Sequence, residues 1–522
     1  MKELLSGTVV LVFTGIYLAV LVGVALLATQ RSRAAGAGED PRDEHELGGR
    51  SLPLFVLLGT LYASQYSGNS FVGFSGKAAR DGYEFIGSVL FMQSVIVGYL
   101  LYAGRLFKLS RVHRYRTPAD FLLHRYEHKG LHLLASGLMI FALLNFVLSQ
   151  LVAIGKITMV MGQSSDGMPL HPAWGIVSLA LLMVLYETFG GMRAVAWTDM
   201  LQGAMLLVGA MGLFILLENT GGGMSGALSR FRELWPDKVS PPRGRDLGAW
   251  VGSIVLFAAG AACYPHAIQR IYAARSAKVL RRSMAIMVFM PLITTLPLFL
   301  IGIYAQALAG AKVLGSDEAM PLILDHIAGT PLGSVIALVV LAGAVSAMMS
   351  TADSALLTTS SIVNRDWLER YFLPGRSPHF YLRCSKITSW VVVASIAAVS
   401  IWSVANGHRI WQILSIKLEV LMQTAPAIWF GVRGRHLSGQ WAFRAMLVGA
   451  AITLLGWLTW HNTDTGSYLL YFPTHEVPKN LESMRTLLGV QVGVWGLGAN
   501  LMVCAIGSRI SRMRAREDLA AA

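Results

Sequence analysis

The chain has 522 residues, 54% of them hydrophobic and only 14% charged, with a formal net charge of +14. Apolar runs of membrane-spanning length recur from end to end, so the composition reads as an all-α polytopic membrane protein. The excess Lys and Arg gather in alternate short loops, a topology signal that argues against a nucleic-acid surface, and Cys263, Cys384 and Cys504, in or beside apolar helices, suggest neither a disulfide framework nor a metal cluster.

Gly7 to Ala28 is the first expected span, followed by basic Arg31 and Arg33 and a mixed-charge linker from Ala34 to Arg50. Its apolar run is longer than a signal-peptide core, so it reads as a retained helix with its N-terminus outside. Leu52 to Ala79 comes next and carries ASQYSGNSF at its middle. Gly68 among Ser64, Gln65, Ser67, Asn69 and Ser70 is a poor centre for a helix facing lipid, and it fits a broken helix whose freed backbone groups line a cavity. Tyr83–Ala103, Leu131–Val160 with Gln150, and His171–Phe189 follow, and a Gly190-Gly191 turn then starts a helix with Asp199 one turn inside. The helix dipole alone could explain a carboxylate there. An external loop is expected from Glu218 to Arg245. The next span, Gly248–Gln269, is interrupted at GAACYPH, where Gly260 and Pro265 both disfavour continuous helix. Met284–Leu308, Leu332–Ser361, Ile387–Val404, Ile410–Val432, Ala442–Trp460 and Leu487–Ile506 bring the total to about 13 spans, with the C-terminus cytoplasmic.

The most informative segment is VVLAGAVSAMMSTADSALLTTSSIVNRDW, Val339 to Trp367. At helical spacing Ala347, Ser350, Thr351 and Ser354 share one small, oxygen-bearing stripe with Asp353 on its flank. A carboxylate at membrane depth is a functional candidate by default, and hydroxyls, a carboxylate and close backbone approach suit a hard cation. The same small residues also let helices pack closely. With no nucleotide-binding loop in the sequence, transport would draw on an ion gradient. Setting the first span aside, the two interrupted helices are core positions one and six, five spans apart, and matched breaks of this kind point to an inverted-repeat transporter.

The stretches GGRSL, GGMRAVAWTDMLQG, QRIYAARSAKVLRRS and AMMSTADSALLTTSSIVNRD, in collinear order from about Gly48 to Asp366, resemble the signatures of the sodium:solute symporter family. The resemblance implies a 5+5 inverted-repeat core of the leucine-transporter type, with discontinuous core helices one and six, one preceding helix and two following. It also implies sodium-driven uptake of a small organic solute by alternating access, with the sodium ion as coupling ion and no enzymatic activity. The corresponding layout is an N-terminal helix (1–30), a cytoplasmic linker (31–50), the first repeat (51–217), an external loop (218–246), the second repeat (247–432), and two C-terminal helices with a short tail (433–522).

Carried over residue by residue, the main sodium site would use the carbonyls of Ala63, Tyr66 and Ala347 and the hydroxyls of Ser350 and Thr351. A second sodium, in members that have one, would engage Asp199, Ser350, Asp353 and Ser354, although this chain has a carboxylate at Asp353 where a hydroxyl is usual. The solute would sit at the two breaks, against Gln65, Ser67, Gly68, Asn69, Gln150, Tyr264, His266 and either Lys417 or Glu419. Lys417 suits a carboxylate-bearing solute, and a structural ion pair is the competing reading. Two other functions stay open: a sensor of the same fold working with a separate signalling partner, and a proton-coupled carrier using Asp353. The expected location is the cell membrane, of the prokaryotic inner-membrane kind.

Overall fold

The computed structural model describes residues 15–17, 19–28, 30, 40–161, 171–220, 222–315, 318–405, 410–434, 436–458, 461–462, 467–468, 486–487 and 490–521, and they are almost wholly helical. Eight of the described helices are long and apolar enough to cross a membrane, and three shorter apolar ones, Gly15–Ala28, Leu54–Gln65 and Pro172–Leu185, accompany them. Two of the expected spans, Leu52–Ala79 and Gly248–Gln269, are each divided by non-helical backbone.

A short, highly charged helix, α1 (Pro41–Leu47), lies inside the expected linker. The first divided stretch is α2 (Leu54–Gln65) and α3 (Gly68–Asp81), separated by extended backbone at Tyr66 and Ser67. Then come α4 (Gly87–Leu100), α5 (Ala103–His113), α6 (Pro118–Tyr126) and α7 (Lys129–Met161). The long α8 (Pro172–Glu218) turns at Gly191, where φ is 54° and ψ is −155°. Only glycine adopts that backbone cheaply, and a β-carbon there would also lie 2.6 Å from the His45 carbonyl.

The expected external loop contains a helix, α9 (Gly223–Leu234), that the polar composition of SGALSRFREL hid. It forms because Met224, Ala227 and the fully buried Phe231 make one apolar face. The second divided stretch is α10 (Arg245–Ala259), a tight turn at Ala261–Cys263, and α11 (Pro265–Ala273). The Tyr102 hydroxyl donates to the Ala262 carbonyl, which the break has released. The chain continues through α12 (Ala277–Met287), α13 (Thr295–Ala309), against which α9 packs, and α14 (Ala319–Ile327). Next is α15 (Pro331–Ile362), extended in wider π geometry through Val363–Phe372. The last helices are α16 (Pro378–Ala405), α17 (Ile410–Leu421), α18 (Ala425–Val432), α19 (Gly439–Leu458) and α20 (Val492–Ala521). Within this bundle α15 is central, packing along α8, α7, α2 and α16.

Candidate functional site

The break between α2 and α3 sets up the first set of ligands. Tyr66, just past the end of α2, makes the last helical hydrogen bond, its N–H donating to the Tyr62 carbonyl at 3.0 Å. The Ser67 N–H, which would have reached the Ala63 carbonyl had the helix continued, donates to the Ser70 hydroxyl at 3.3 Å. The Ser70 N–H in turn takes the Ser67 carbonyl at 2.9 Å, leaving that of Tyr66 without a helical donor. Opposite, on α15, the hydroxyls of Ser350 and Thr351 are fully buried and make no hydrogen bond, unlike Ser354 and Thr358 one turn on, which donate back to carbonyls of their own helix. Orphaned oxygens on two facing elements are the arrangement a hard, oxygen-seeking cation needs. Ala347 is buried on the same stripe of α15.

Asp199 and Ser354 come together on one guanidinium, while Asp353 bonds to neither. A residue outside the expected set intervenes. Arg270 of α11 is fully buried, and its guanidinium donates to Asp199 at 2.8 Å, to Thr60 at 2.6 Å, to the His266 carbonyl at 3.0 Å and to the Ser354 hydroxyl. Thr60 adds its own hydrogen bond to Asp199 at 2.5 Å. The Ser350 hydroxyl lies beside this carboxylate without completing a bond to it. Buried charge survives where it is paired and hydrogen-bonded, and Arg270 with Asp199 meets both conditions. Asp353 is equally buried, yet among the described residues neither of its oxygens has a hydrogen-bond or ion-pair partner.

A cavity of about 390 Å³ runs beside α3 and takes in Gln65, Ser67, Tyr264, His266 and Lys417, joined by Ser64, Phe91, Phe146, Trp250 and Phe257. At its far end lie Asp81 and Glu84, roughly 20 Å along α3 at 1.5 Å per residue. Two expected residues lie off its wall. Gln150 is buried with its amide on Ser149 at 3.0 Å. Gly68 faces α15, where a β-carbon would sit 2.3 Å from the Met348 side chain. The side chain of Asn69 lies outside the described residues. Of the pair on α17, Lys417 lines the cavity, while Glu419 accepts from the Gly493 N–H at 2.7 Å.

The opposite end of the molecule is closed by a belt of charge centred on α1. Asp43 receives Arg50 at 3.1 Å and Arg116 at 3.0 Å, and Arg42 reaches Glu369 at 3.0 Å. Asp120 takes Arg370 and, at 3.4 Å, Arg365, while Glu44 holds Arg193 at 2.6 Å. Burial alone would raise the Asp40 carboxyl, but the Arg42 amide and the Arg116 guanidinium bring it down to about 2. Glu46, buried on the inner side of α1, goes the other way: burial pushes its carboxyl up to about 7 against the pull of Arg116, Arg42 and Arg365.

Residues 45–449 match the model of the sodium:solute symporter family. The chain belongs to this family. Among its relatives, the sodium/pantothenate symporter of Haemophilus influenzae is 29% identical over 355 residues, covering 67% of this chain and 70% of that protein. The sodium/glucose cotransporter of Vibrio parahaemolyticus is 25% identical over 439 residues, covering 77% and 76%. Structurally, the chain resembles the substrate-bound outward-open state of a Na+-coupled sialic acid symporter, with a TM-score of 0.73 at 18% identity over 96% of this chain and 97% of that one. A nucleobase-cation-symport-1 family transporter in a closed conformation gives a TM-score of 0.50 at 15% identity, over 90% and 95%. This symporter-family member is thus an integral membrane transporter and not an enzyme, and sodium coupling is the property its relatives share.

Proposed function

We propose that the protein imports a small organic solute together with one sodium ion by alternating access across the cell membrane. The observation that carries this reading is the pairing of the released carbonyls of Ala63 and Tyr66 on α2 with the orphaned hydroxyls of Ser350 and Thr351 on α15. With the Ala347 carbonyl these five groups hold sodium and tie the two helices together. The solute lies in the adjoining cavity, and relatives named for pantothenate, glucose and proline take solutes of that size class. The Asp81 end of the cavity faces outside, the charged belt at α1 faces the cytoplasm, and the N-terminus lies outside and the C-terminus inside.

The second ion position is served from within the chain. The Arg270 guanidinium engages Asp199 and Ser354 and supplies there the positive charge that a second sodium would bring. In proteoliposomes, an imposed inward sodium gradient drives solute accumulation, and Ser350→Ala or Thr351→Ala abolishes it while the protein stays folded. Uptake close to wild type in either variant at limiting sodium would overturn the assignment. The unpartnered carboxylate of Asp353 favours a second reading, proton coupling. It predicts uptake driven by a pH gradient in sodium-free vesicles and lost in Asp353→Asn.

A further inference from the structure

Lys417 is a cation in want of an anion. Its side chain is 1% exposed and stands on the cavity wall. Among the described residues its ammonium has no hydrogen-bond acceptor and no ion-pair partner. What it touches is aromatic: the ammonium lies 3.3 Å from the centre of the Phe146 ring and 5.9 Å from that of Tyr264. The nearest carboxylate in sequence, Glu419, is held by Gly493 instead. The cavity's own acids, Asp81 and Glu84, sit at the far end, Asp81 paired with Arg80 at 2.7 Å. A ring face attracts an ammonium but accepts none of its protons in a proper hydrogen bond, so the rings offset the desolvation of this charge only in part.

We infer that the solute is a small organic carboxylate whose anionic group binds Lys417. The inference rests on the symporter reading and gives the chemical class of its solute. The walls fit the remainder of such a molecule. Phe146 and Tyr264 stack at 5.0 Å, and His266 stacks on Tyr264 at 4.9 Å, so an aromatic or aliphatic body lies against a continuous flat surface. Gln65 donates to the Met92 carbonyl at 3.1 Å and leaves its own amide oxygen unpaired, placed for a hydroxyl or N–H donor on the solute. The charge-assisted bond to Lys417 sets the class, and Gln65 with the aromatic wall selects within it.

The test uses the purified full chain and reads thermal stabilisation. Lactate, hexanoate, benzoate, phenylpropanoate and N-acetylalaninate are each compared with their neutral primary amides, in sodium and in N-methylglucamine buffers. The expected result is that at least one acid raises the Tm, and that its amide requires about 10- to 100-fold higher concentration, the worth of a hydrogen bond to a charged group. Lys417→Met removes that discrimination and Lys417→Arg restores part of it. Without any solute, Lys417→Met melts no lower than the parent, because the change deletes a charge that had no partner. A lower Tm for the solute-free variant, with acid and amide still discriminated, makes Lys417 structural and overturns the inference. So does stabilisation by the amides equal to that by the acids, or by none of the acids. Acid binding that is indifferent to sodium leaves the carboxylate site standing and refutes sodium symport. Sodium-dependent binding of neutral solutes alone does the reverse.

Discussion

Replacing Asp199 by Asn distinguishes two alternative roles for it, partner of Arg270 and ligand of a second sodium. Both side chains of the pair are completely buried and their closest atoms are 2.8 Å apart. At an effective dielectric constant of about 20 the attraction across that distance is roughly 6 kcal/mol. Asn keeps the shape and one acceptor, and Arg270 keeps Thr60, Ser354 and the His266 carbonyl, so part of the loss is recovered. Breaking one side of a buried pair costs about 3–5 kcal/mol by general experience, and Asp199→Asn is expected near the lower figure. The assay has two arms. Thermal unfolding of the purified variant gives a Tm several degrees below the parent, and the double variant Asp199→Asn/Arg270→Gln regains most of it, since the orphaned guanidinium is gone. Uptake against sodium concentration gives a Hill coefficient close to one in the parent and in the single variant alike. A parental coefficient near two that falls to one in Asp199→Asn, with no change in Tm, refutes the internal-cation argument and makes Asp199 a ligand of a second sodium.

Gly68→Ala is expected to lose uptake through steric conflict with Met348, and Met348→Ala in the same chain recovers part of it; no recovery would mean that the glycine is needed for the break itself. Arg116→Gln removes partners of both Asp40 and Asp43, loosening the charged belt, and a cysteine-accessibility probe near α1 should then label faster from the cytoplasmic side. Glu46 gives a pH signature. Its neutral form is favoured on folding, so the stability is present at acid pH and is lost as pH rises from 4.5 through about 7. The difference is roughly 3 kcal/mol. Glu46→Gln should therefore melt like the parent near pH 5 and higher than it at pH 8, and equal Tm values at both would show that Glu46 is not desolvated.

Much of this was legible in the chain because membrane helices advertise themselves by composition, and because Gly68 and Pro265 cannot sit quietly in a continuous span. The stripe of Ala347, Ser350, Thr351 and Ser354 was visible in its spacing, because residues three and four apart share a helix face. Arg270 was not legible as a site residue. It sits in the basic run QRIYAARSAKVLRR, where every cation reads as a topology signal, and only the turn at Tyr264 carries α11 back against Asp199. Gln150 lies off the cavity wall, its amide nitrogen on Ser149 and its amide oxygen without a partner among the described residues, a split that composition alone does not reveal. Helix α9 was missed because four buried residues in twelve, one of them a glycine, leave a polar average.

Five of the residues with buried, unpartnered polar atoms gather near the helix break and the cavity. Ser350 and Thr351 face the helix break, Lys417 and Gln65 face the cavity, and Asp353 lies on the flank of the same α15 stripe. Each of these groups has been taken from water without a full replacement, and each such debt lowers the stability of the empty protein. A ligand that satisfies them stabilises the folded chain by an amount that grows with the logarithm of its concentration over its dissociation constant. Sodium at the hydroxyls of α15 and an anion at Lys417 of α17 act on helices that both pack against α7, so each should favour the arrangement that binds the other. Linkage makes that preference reciprocal: if sodium tightens solute binding, solute must tighten sodium binding by the same factor. A carrier built this way is least stable when empty, and the groups that make it so are those that recognise its cargo.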